Sequence, residues 1–290
     1  MKLGITSRLD TEQAIRILGK TISYLLSVTS LSELTLDIEI QNLTNSRKEI
    51  LFKNIENRKM LRNKIHYAPL EDFDVDVIVT IGGDGTILRT IHRTDKRVLP
   101  INAGIVGFLT EVEEENLEIG LGKLIDEDYF IDARPRLKTE YRGLDIIHAV
   151  NEAVIHTAQV AKMRSFRIFI DGFEAETIRA DGVIVATPTG STCYAMSAGS
   201  PILDPKVPAF TIVPISSFSL ATRPIVVPDS SEIEVRPLDG KPSLLVLDGQ
   251  QTIETEGRES LYFTRSEKKA EFIRFEQNFY KRVWSKLIGY

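Results

Sequence analysis

Apolar and polar positions along the chain change period several times, and each change marks an element. Lys2 to Thr6 predicts a short strand. Asp10, followed three residues later by Gln13, has the form of a capping box. The helix it would open carries Ile15, Leu18, Ile22 and Leu25 at helical spacing. Leu34, Leu36, Ile38 and Ile40 alternate with polar residues, the period of a half-buried strand. Ser46 to Ile65 is charged, with Ile50, Leu51, Ile55 and Leu61 as its apolar stripe, and predicts a second helix. Within Val75 to Ile81, the residues Val77, Ile78, Val79 and Ile81 form a nearly continuous apolar run, as in a central parallel strand covered on both faces. Gly82-Gly83-Asp84-Gly85-Thr86 follows at once, and Ile87, Leu88 and Ile91 restart a helical pattern. Val98 to Ile101 predicts another buried strand, ending at Asn102-Ala103-Gly104, and Glu113 to Ile125 a helix with an acidic start. This alternation predicts an open, Rossmann-like α/β domain up to about residue 125.

After Tyr129 the texture changes. Ile146-Ile147, Val150, Val154-Ile155, Phe166 to Ile170, Gly182 to Thr187, Phe210 to Val213, Ile225 to Val227, Ile233 to Val235 and Leu244 to Leu247 are short β-type runs separated by turn residues. They predict an all-β, sandwich-like domain. Asn278 to Ile288 returns to helical spacing through Phe279, Val283, Trp284 and Leu287, and is expected to dock back onto the first domain. The expected division is 1–125 plus 270–290, and 126–269.

Composition narrows the class. Lys and Arg total 36 against 41 Asp and Glu, a net charge of −5 over 290 residues. A mildly acidic chain argues against nucleic acid as partner, because a phosphate backbone selects a basic face. No apolar run approaches the ~18–20 residues of a membrane span. The first residues carry Asp10 and Glu12 without an apolar stretch, so no signal peptide is expected. Cys193 is the one cysteine, which excludes an intrachain disulfide framework and fits a reducing, cytoplasmic setting.

Four segments can carry chemistry. The glycines of Gly82-Gly83-Asp84-Gly85-Thr86 are expected to permit positive φ and to turn backbone N–H groups toward a ligand, with a helix N-terminus behind them that suits phosphate. A carboxylate beside a phosphate is repulsive, so Asp84 makes sense if it holds a cation or takes a proton from an attacking hydroxyl; as a bland alternative it caps the helix. Asn151-Glu152 interrupts the apolar run Ala149 to Ile155, which costs free energy unless a partner such as a ligand hydroxyl or adenine edge satisfies them; a strand-end turn is the plainer reading. Arg179 to Gly199 enters a Pro/Gly turn crowded with small hydroxyl residues, with Ser191 a possible helix cap. Asp248-Gly249-Gln250 has the form of a type I′ hairpin turn. Arg89, Lys162, Arg164 and Arg179 fall near these motifs. The four histidines show no metal-ligand spacing.

Gly82-Gly83-Asp84-Gly85-Thr86, then Ile101-Asn102-Ala103-Gly104-Ile105-Val106-Gly107-Phe108-Leu109-Thr110-Glu111, then Asn151-Glu152, then Asp181-Gly182, Thr187 to Tyr194 and Ser197-Ala198-Gly199 follow one another in the order of the NAD kinase family, which the chain resembles over residues ~80 to ~250. The glycine element alone is shared with diacylglycerol kinase, sphingosine kinase and phosphofructokinase families; the hydroxyl-rich block is the specific part. The resemblance implies an N-terminal α/β domain, a C-terminal β-sandwich-like domain and a returning last helix. It implies transfer of the ATP γ-phosphoryl group to the adenosine-ribose 2′-hydroxyl of NAD, with Mg²⁺. Asp84 would be the catalytic carboxylate. Gly82, Gly83, Gly85, Thr86 and Thr189 would lie at the nucleotides, with Arg89 as a phosphate contact. Asn151 and Glu152 would bind the adenosine part of NAD. Lys162, Arg179 and Asp181 would line the dinucleotide site. Thr192, Cys193, Tyr194, Ala195, Met196 and Ser197 would contact NAD, including across the subunit interface of a homodimer or homotetramer, and Gln250 would close the site. Phe218 stands where many members carry a His, and Cys193 where Ala is usual. A lipid or sugar kinase sharing the glycine motif would not need the Asn151-Glu152 and Thr187–Gly199 elements. A non-catalytic NADP-binding regulator could dispense with Asp84.

Overall fold

The structure, a computed structural model, describes residues 1–28, 33–53, 55, 64–104, 107–159, 162–277 and 279–287. Ile105, Val106, Asn278, Ile288 and most of the stretch after Lys53, including Leu61, lie outside the described residues. The chain divides into two compact units, Met1–Ala133 with Glu271–Tyr290, and Arg134–Ala270.

The first unit is a parallel sheet with helices. Its strands are β1 (Leu3–Ser7), β2 (Leu34–Asp37), β3 (Ile65–Ala68), β4 (Val77–Gly82) and β5 (Arg97–Asn102). They run side by side in the order β5-β4-β1-β2-β3, all parallel. Its helices are α1 (Glu12–Ser27), α2 (Asn45–Lys53), α3 (Asp84–Arg93) and α4 (Leu117–Ile125). Alternate residues of the central strands, among them Leu3, Ile5, Val77, Val79 and Ile81, pack with Ile15, Leu18, Ile22, Leu117 and Leu121 into one core. All six residues of β4 are buried, as a strand covered on both faces must be. β1 sits between β2 and β4, so strand order reverses there, and the crevice at the carboxyl ends of β1 and β4 is where open α/β sheets bind ligands.

Three local expectations are corrected. Asp10 does not cap α1: its carboxylate accepts Arg8 Nε and Nη2 at 2.8 and 2.7 Å, and Thr11 caps instead, accepting the Ala14 N–H at 3.4 Å. β2 stops at Asp37, whose side chain accepts the Glu39 N–H (3.1 Å) and the Thr6 hydroxyl (2.7 Å), and Ile38–Asn42 turns as a 3₁₀ helix. Ile65 begins β3 and does not end a helix.

The second unit is β-rich. β6 (Phe130–Tyr141) and β17 (Leu261–Arg274) each run on from one unit into the other. Between them come β7 (Leu144–Asp145), β8 (Glu152–Thr157), β9 (Arg164–Ile170), β10 (Phe173–Ala180), β11 (Gly182–Ala186), β12 (Ala209–Ile215), β13 (Ile225–Pro228), β14 (Ile233–Pro237), β15 (Ser243–Leu247) and β16 (Gln251–Thr255). β13-β12-β11-β8-β15-β16 form one antiparallel sheet. β10-β9-β14-β17 with β6 and β7 form the other. Phe166, Ile168, Ile233, Val235 and Phe263 from one sheet meet Ile155, Val183, Val185, Phe210 and Leu245 from the other in a shared core, which makes this a sandwich. On the opposite face of the first sheet, Val154, Ile184 and Val213 pack with Ala195 of the short helix α5 (Tyr194–Ser197). The last helix, α6 (Phe279–Leu287), belongs to the first unit.

Candidate active site

In the first unit, the candidate residues gather at the end of β4. Gly83 caps α3 and Asp84 is its first residue, so the glycine loop does deliver a helix N-terminus. None of its glycines has positive φ; Gly83 is extended, at φ −96°. Their role is space: a Cβ on Gly82 would lie 2.4 Å from the Thr86 hydroxyl, whereas one on Gly83 would meet nothing within 4 Å, leaving that backbone open to a ligand.

Asp84 does not cap its own helix. Its carboxylate accepts the N–H groups of Phe108 at 2.9 Å and Leu109 at 3.1 Å, one on each oxygen. Burial raises its pKa, while those two amides and the charges of Lys286 and Arg274 pull it down. Burial prevails, leaving a carboxylate held in place and more basic than an exposed one.

Beside it, Ser7 at the end of β1, Arg8, Leu9 and Asp10 after it, Glu39, Arg47 of α2, and Gly85, Thr86 and Arg89 of α3 line a cavity of about 420 Å³ at the sheet's reversal point. Arg89 pairs with Glu39 at 3.2 Å through Nη1, and its Nε and Nη2 are buried without a hydrogen-bond partner. Arg8 and Arg89 pair with the lining carboxylates Asp10 and Glu39, so what the cavity offers a phosphate chain is Arg47, the unpartnered nitrogens of Arg89 and a helix N-terminus. Among the described residues no group of three or more His, Cys, Asp or Glu could hold a metal ion. Each Asp84 oxygen accepts one N–H and keeps a second lone pair, open to a proton or a cation.

A separate cluster of candidate residues lies within the second unit. Asp248 ends β15 in the predicted turn, with φ positive at Asp248 (50°) and Gly249 (63°) and the Gln250 N–H donating to the Leu247 carbonyl at 2.8 Å. Its buried carboxylate accepts the N–H groups of Val150 (2.6 Å), Asn151 (2.8 Å) and Glu152 (2.9 Å). That fixes the start of β8 and presents two side chains whose needs the protein leaves unmet: Asn151 Oδ1 and Glu152 Oε2 are buried with no hydrogen-bond partner. Burial, reinforced by the Asp248 charge, pushes the Glu152 carboxyl up to about 8. Buried polar atoms without partners are rare and point to a ligand that supplies them.

Thr187 to Ser197 stands against this pair. The Thr187 hydroxyl donates to the Val150 carbonyl at 2.6 Å, and a Cβ on Gly190 would fall 2.2 Å from the Asn151 carbonyl oxygen. Thr189 accepts Arg134 Nη1 at 3.4 Å, and Thr192 donates to the Thr189 carbonyl at 3.3 Å. Ser191 does not cap α5; its hydroxyl donates to the Pro188 carbonyl and accepts the Leu203 N–H, closing the turn. Ala195 is buried, Cys193 and Met196 are half-buried, and Tyr194 and Ser197 are exposed.

Asp181 is half-buried at the head of β11, and Gln250 and Lys162 are exposed. Exposed Arg179 lies 5.4 Å from the centre of the Phe218 ring, and the Phe218 N–H donates to its carbonyl at 2.8 Å. The Phe218 ring therefore lies within cation–π range of the Arg179 guanidinium. Arg164 is no surface charge: it is buried, bonded to Asp239, Ser243 and the Pro242 carbonyl.

Sequence reading missed the groups behind Asp84. Arg274, at the end of β17, and Arg282 and Lys286 of α6 surround the segment that holds the carboxylate. They lie 163 to 176 residues away along the chain and read locally as ordinary surface cations.

The family described as ATP-NAD kinase N-terminal domain matches residues 3–129, and the ATP-NAD kinase C-terminal domain matches residues 150–275. A curated protein named NAD kinase from Methanothermobacter thermautotrophicus is 40% identical over 292 residues, covering 99% of this chain and 96% of its own. Another from Thermococcus gammatolerans is 39% identical, covering 97% of each. Yeast NADH kinase, solved with NADH, superposes with a TM-score of 0.87 at 26% identity, covering 100% of this chain and 88% of that one. An NAD kinase from Archaeoglobus fulgidus, solved with ATP, gives 0.75 at 29% identity, covering 98% and 99%.

Proposed function

The chain belongs to the NAD kinase family, and we propose that Asp84 is the base through which it moves the γ-phosphoryl group of ATP onto the 2′-hydroxyl of the adenosine ribose of NAD. It is a phosphotransferase acting on an alcohol group. The observation that carries the assignment to Asp84 is its carboxylate, oriented by two amides at a helix N-terminus beside an arginine-lined cavity.

In this reading the donor phosphates occupy the cavity beside Gly85, Thr86 and Arg89, where the buried Nε and Nη2 of Arg89 find acceptors. Mg²⁺ bound with the ATP phosphates would supply neutralisation of part of their charge. Asn151, Glu152, Asp181 and Thr192 to Ser197 hold the dinucleotide, and Asn151 Oδ1 and Glu152 Oε2 take hydrogen bonds from its hydroxyl or amine groups. Lys162, Arg179 and Gln250 border the same ligand. Asp84 accepts the 2′-hydroxyl proton as the ribose oxygen bonds to the γ-phosphorus and the bond to the β–γ bridging oxygen breaks, giving NADP and ADP. Phosphoryl transfer asks for positioning and charge stabilisation more than covalent help, which an oriented carboxylate and a helix N-terminus can supply.

A cytoplasmic homodimer or homotetramer, with Tyr194 exposed to meet a neighbouring subunit, completes the reading. Among the described residues no helix is long and apolar enough to cross a membrane. The test is an assay with ATP, Mg²⁺ and either NAD or NADH, read out by an NADP-specific dehydrogenase. Phosphorylated dinucleotide is the expected product, and its absence from folded protein overturns the reading.

A further inference from the structure

We infer that the C-terminal helix belongs to the catalytic machinery: Arg282 and Lys286, together with Arg274, clamp the Gly107–Glu111 segment whose amides orient Asp84, and so act as positioning residues for the base. The inference rests on the reading of Asp84 given above.

The geometry is two-sided. On its amide side the segment serves Asp84, one N–H per carboxylate oxygen. On its carbonyl side it is held by cations. Arg274 Nη1 donates to the Leu109 carbonyl at 2.9 Å and to the Thr110 carbonyl at 3.4 Å. Arg282 Nη1 donates to the Thr110 carbonyl at 3.0 Å. The Thr110 hydroxyl donates to the Gly107 carbonyl at 3.1 Å and accepts Lys286 Nζ at 3.3 Å. Glu111 anchors the far end: its carboxylate accepts the Phe275 N–H at 2.8 Å, Arg274 at 3.0 Å, and Arg282. Its side chain is 4% exposed and that of Arg274 2%. At Gly107 the packing leaves no room, since a Cβ would lie 2.6 Å from Thr110 and 3.2 Å from Asp84 Oδ1.

A buried ion cluster is weak support for stability, because desolvating the charges offsets most of their attraction; it is better suited to fixing one conformation. Here the conformation fixed is that of the two amides. Lys286 also brings its half-buried ammonium near the Asp84 carboxylate, and the two influence each other's ionisation. If α6 let go, the segment could still exist, but the base would swing, and a misplacement of about 1 Å costs on the order of a hundredfold in rate.

The experiment is a set of double-mutant cycles on the full chain. Arg282→Gln and Lys286→Met should each lower kcat about tenfold to a hundredfold. KM for NAD and for ATP should stay within about twofold, because the hydrogen bonds of these groups go to the Gly107–Glu111 segment. Arg282→Lys and Lys286→Arg should recover part of the loss. In an Asp84→Asn background the same substitutions should cost nothing further, since they act through that carboxylate. Amide exchange in a peptide covering residues 107–112 should quicken in Arg282→Gln. Equal losses in the Asp84→Asn background, or a loss carried by KM, overturn the clamp while leaving Asp84 as the base. Near-normal turnover of Asp84→Asn alone overturns the base instead. Should Arg282→Gln fail to fold, Lys286→Met carries the cycle by itself, because the hydrogen bond it removes is a single one to the Thr110 hydroxyl.

Discussion

Replacing Asp84 with Asn keeps the side chain's size but removes its capacity to accept a proton at neutral pH. Turnover should fall by about 10²–10⁴-fold. NAD affinity, measured by calorimetry on the same variant, should persist, because the residues proposed to hold the dinucleotide belong to the second unit. Glu152 offers a second test at this scale, through pH. Its carboxyl stands near 8 in the folded protein against an ordinary value of 4.5, chiefly because it is buried and secondarily because Asp248 is beside it. The folded state therefore holds a proton that the unfolded chain has lost between those values. This group's contribution to stability is full below about pH 4.5 and is lost as pH rises through about 8. Glu152→Gln, neutral throughout, should flatten that part of the stability–pH curve, measured by denaturant unfolding without ligand. An unchanged slope would place the proton elsewhere.

At the scale of elements, legibility follows how local the forces are. β4 and β11 could be read because strands buried on both faces are nearly continuous apolar runs. The glycine loop, Asn151 and Glu152 stood out because small or polar residues interrupt such runs. β17 was not legible: its middle reads Arg265-Ser266-Glu267-Lys268-Lys269, charged residues that only pairing with strands distant in the chain makes extended. Ile38 and Ile40 kept a strand's alternation, but the Asp37 side chain bonded to Thr6 and Glu39 ends β2 before them. The Asp84 clamp was invisible for the same reason as β17, since its parts meet only in the fold. The turn from β11 into Gly190 makes the element-scale prediction. A methyl group on Gly190 must displace the Asn151 backbone, which sits 2.2 Å from where the Cβ would be and is fixed by Asp248. Gly190→Ala should cost about 1–3 kcal/mol in thermal or denaturant unfolding. NAD affinity should fall with it, whereas a loop able to yield would leave both unchanged.

For the whole molecule, the question is what a ligand stabilises. NADP pairing the buried oxygens of Asn151 and Glu152 binds the native chain and not the unfolded one. At 100 times its dissociation constant it adds about 2.7 kcal/mol. How far that moves the melting midpoint depends on how much of the chain melts with the site. With about 2.1 cal/mol/K of unfolding entropy per residue, the shift is about 4 °C if all 290 residues unfold as one, and about 9 °C if the second unit, residues 134–270, unfolds alone. β6 and β17 each continue through a unit boundary without a break in the strand, so separate melting would have to sever two strands in their middles. The single transition is therefore the expected one, with the smaller shift, and scanning calorimetry with and without saturating NADP measures it. A midpoint that does not move would count against NADP as the partner of those two oxygens; a split transition, with the larger shift on one peak, would show that the strands do not couple the units.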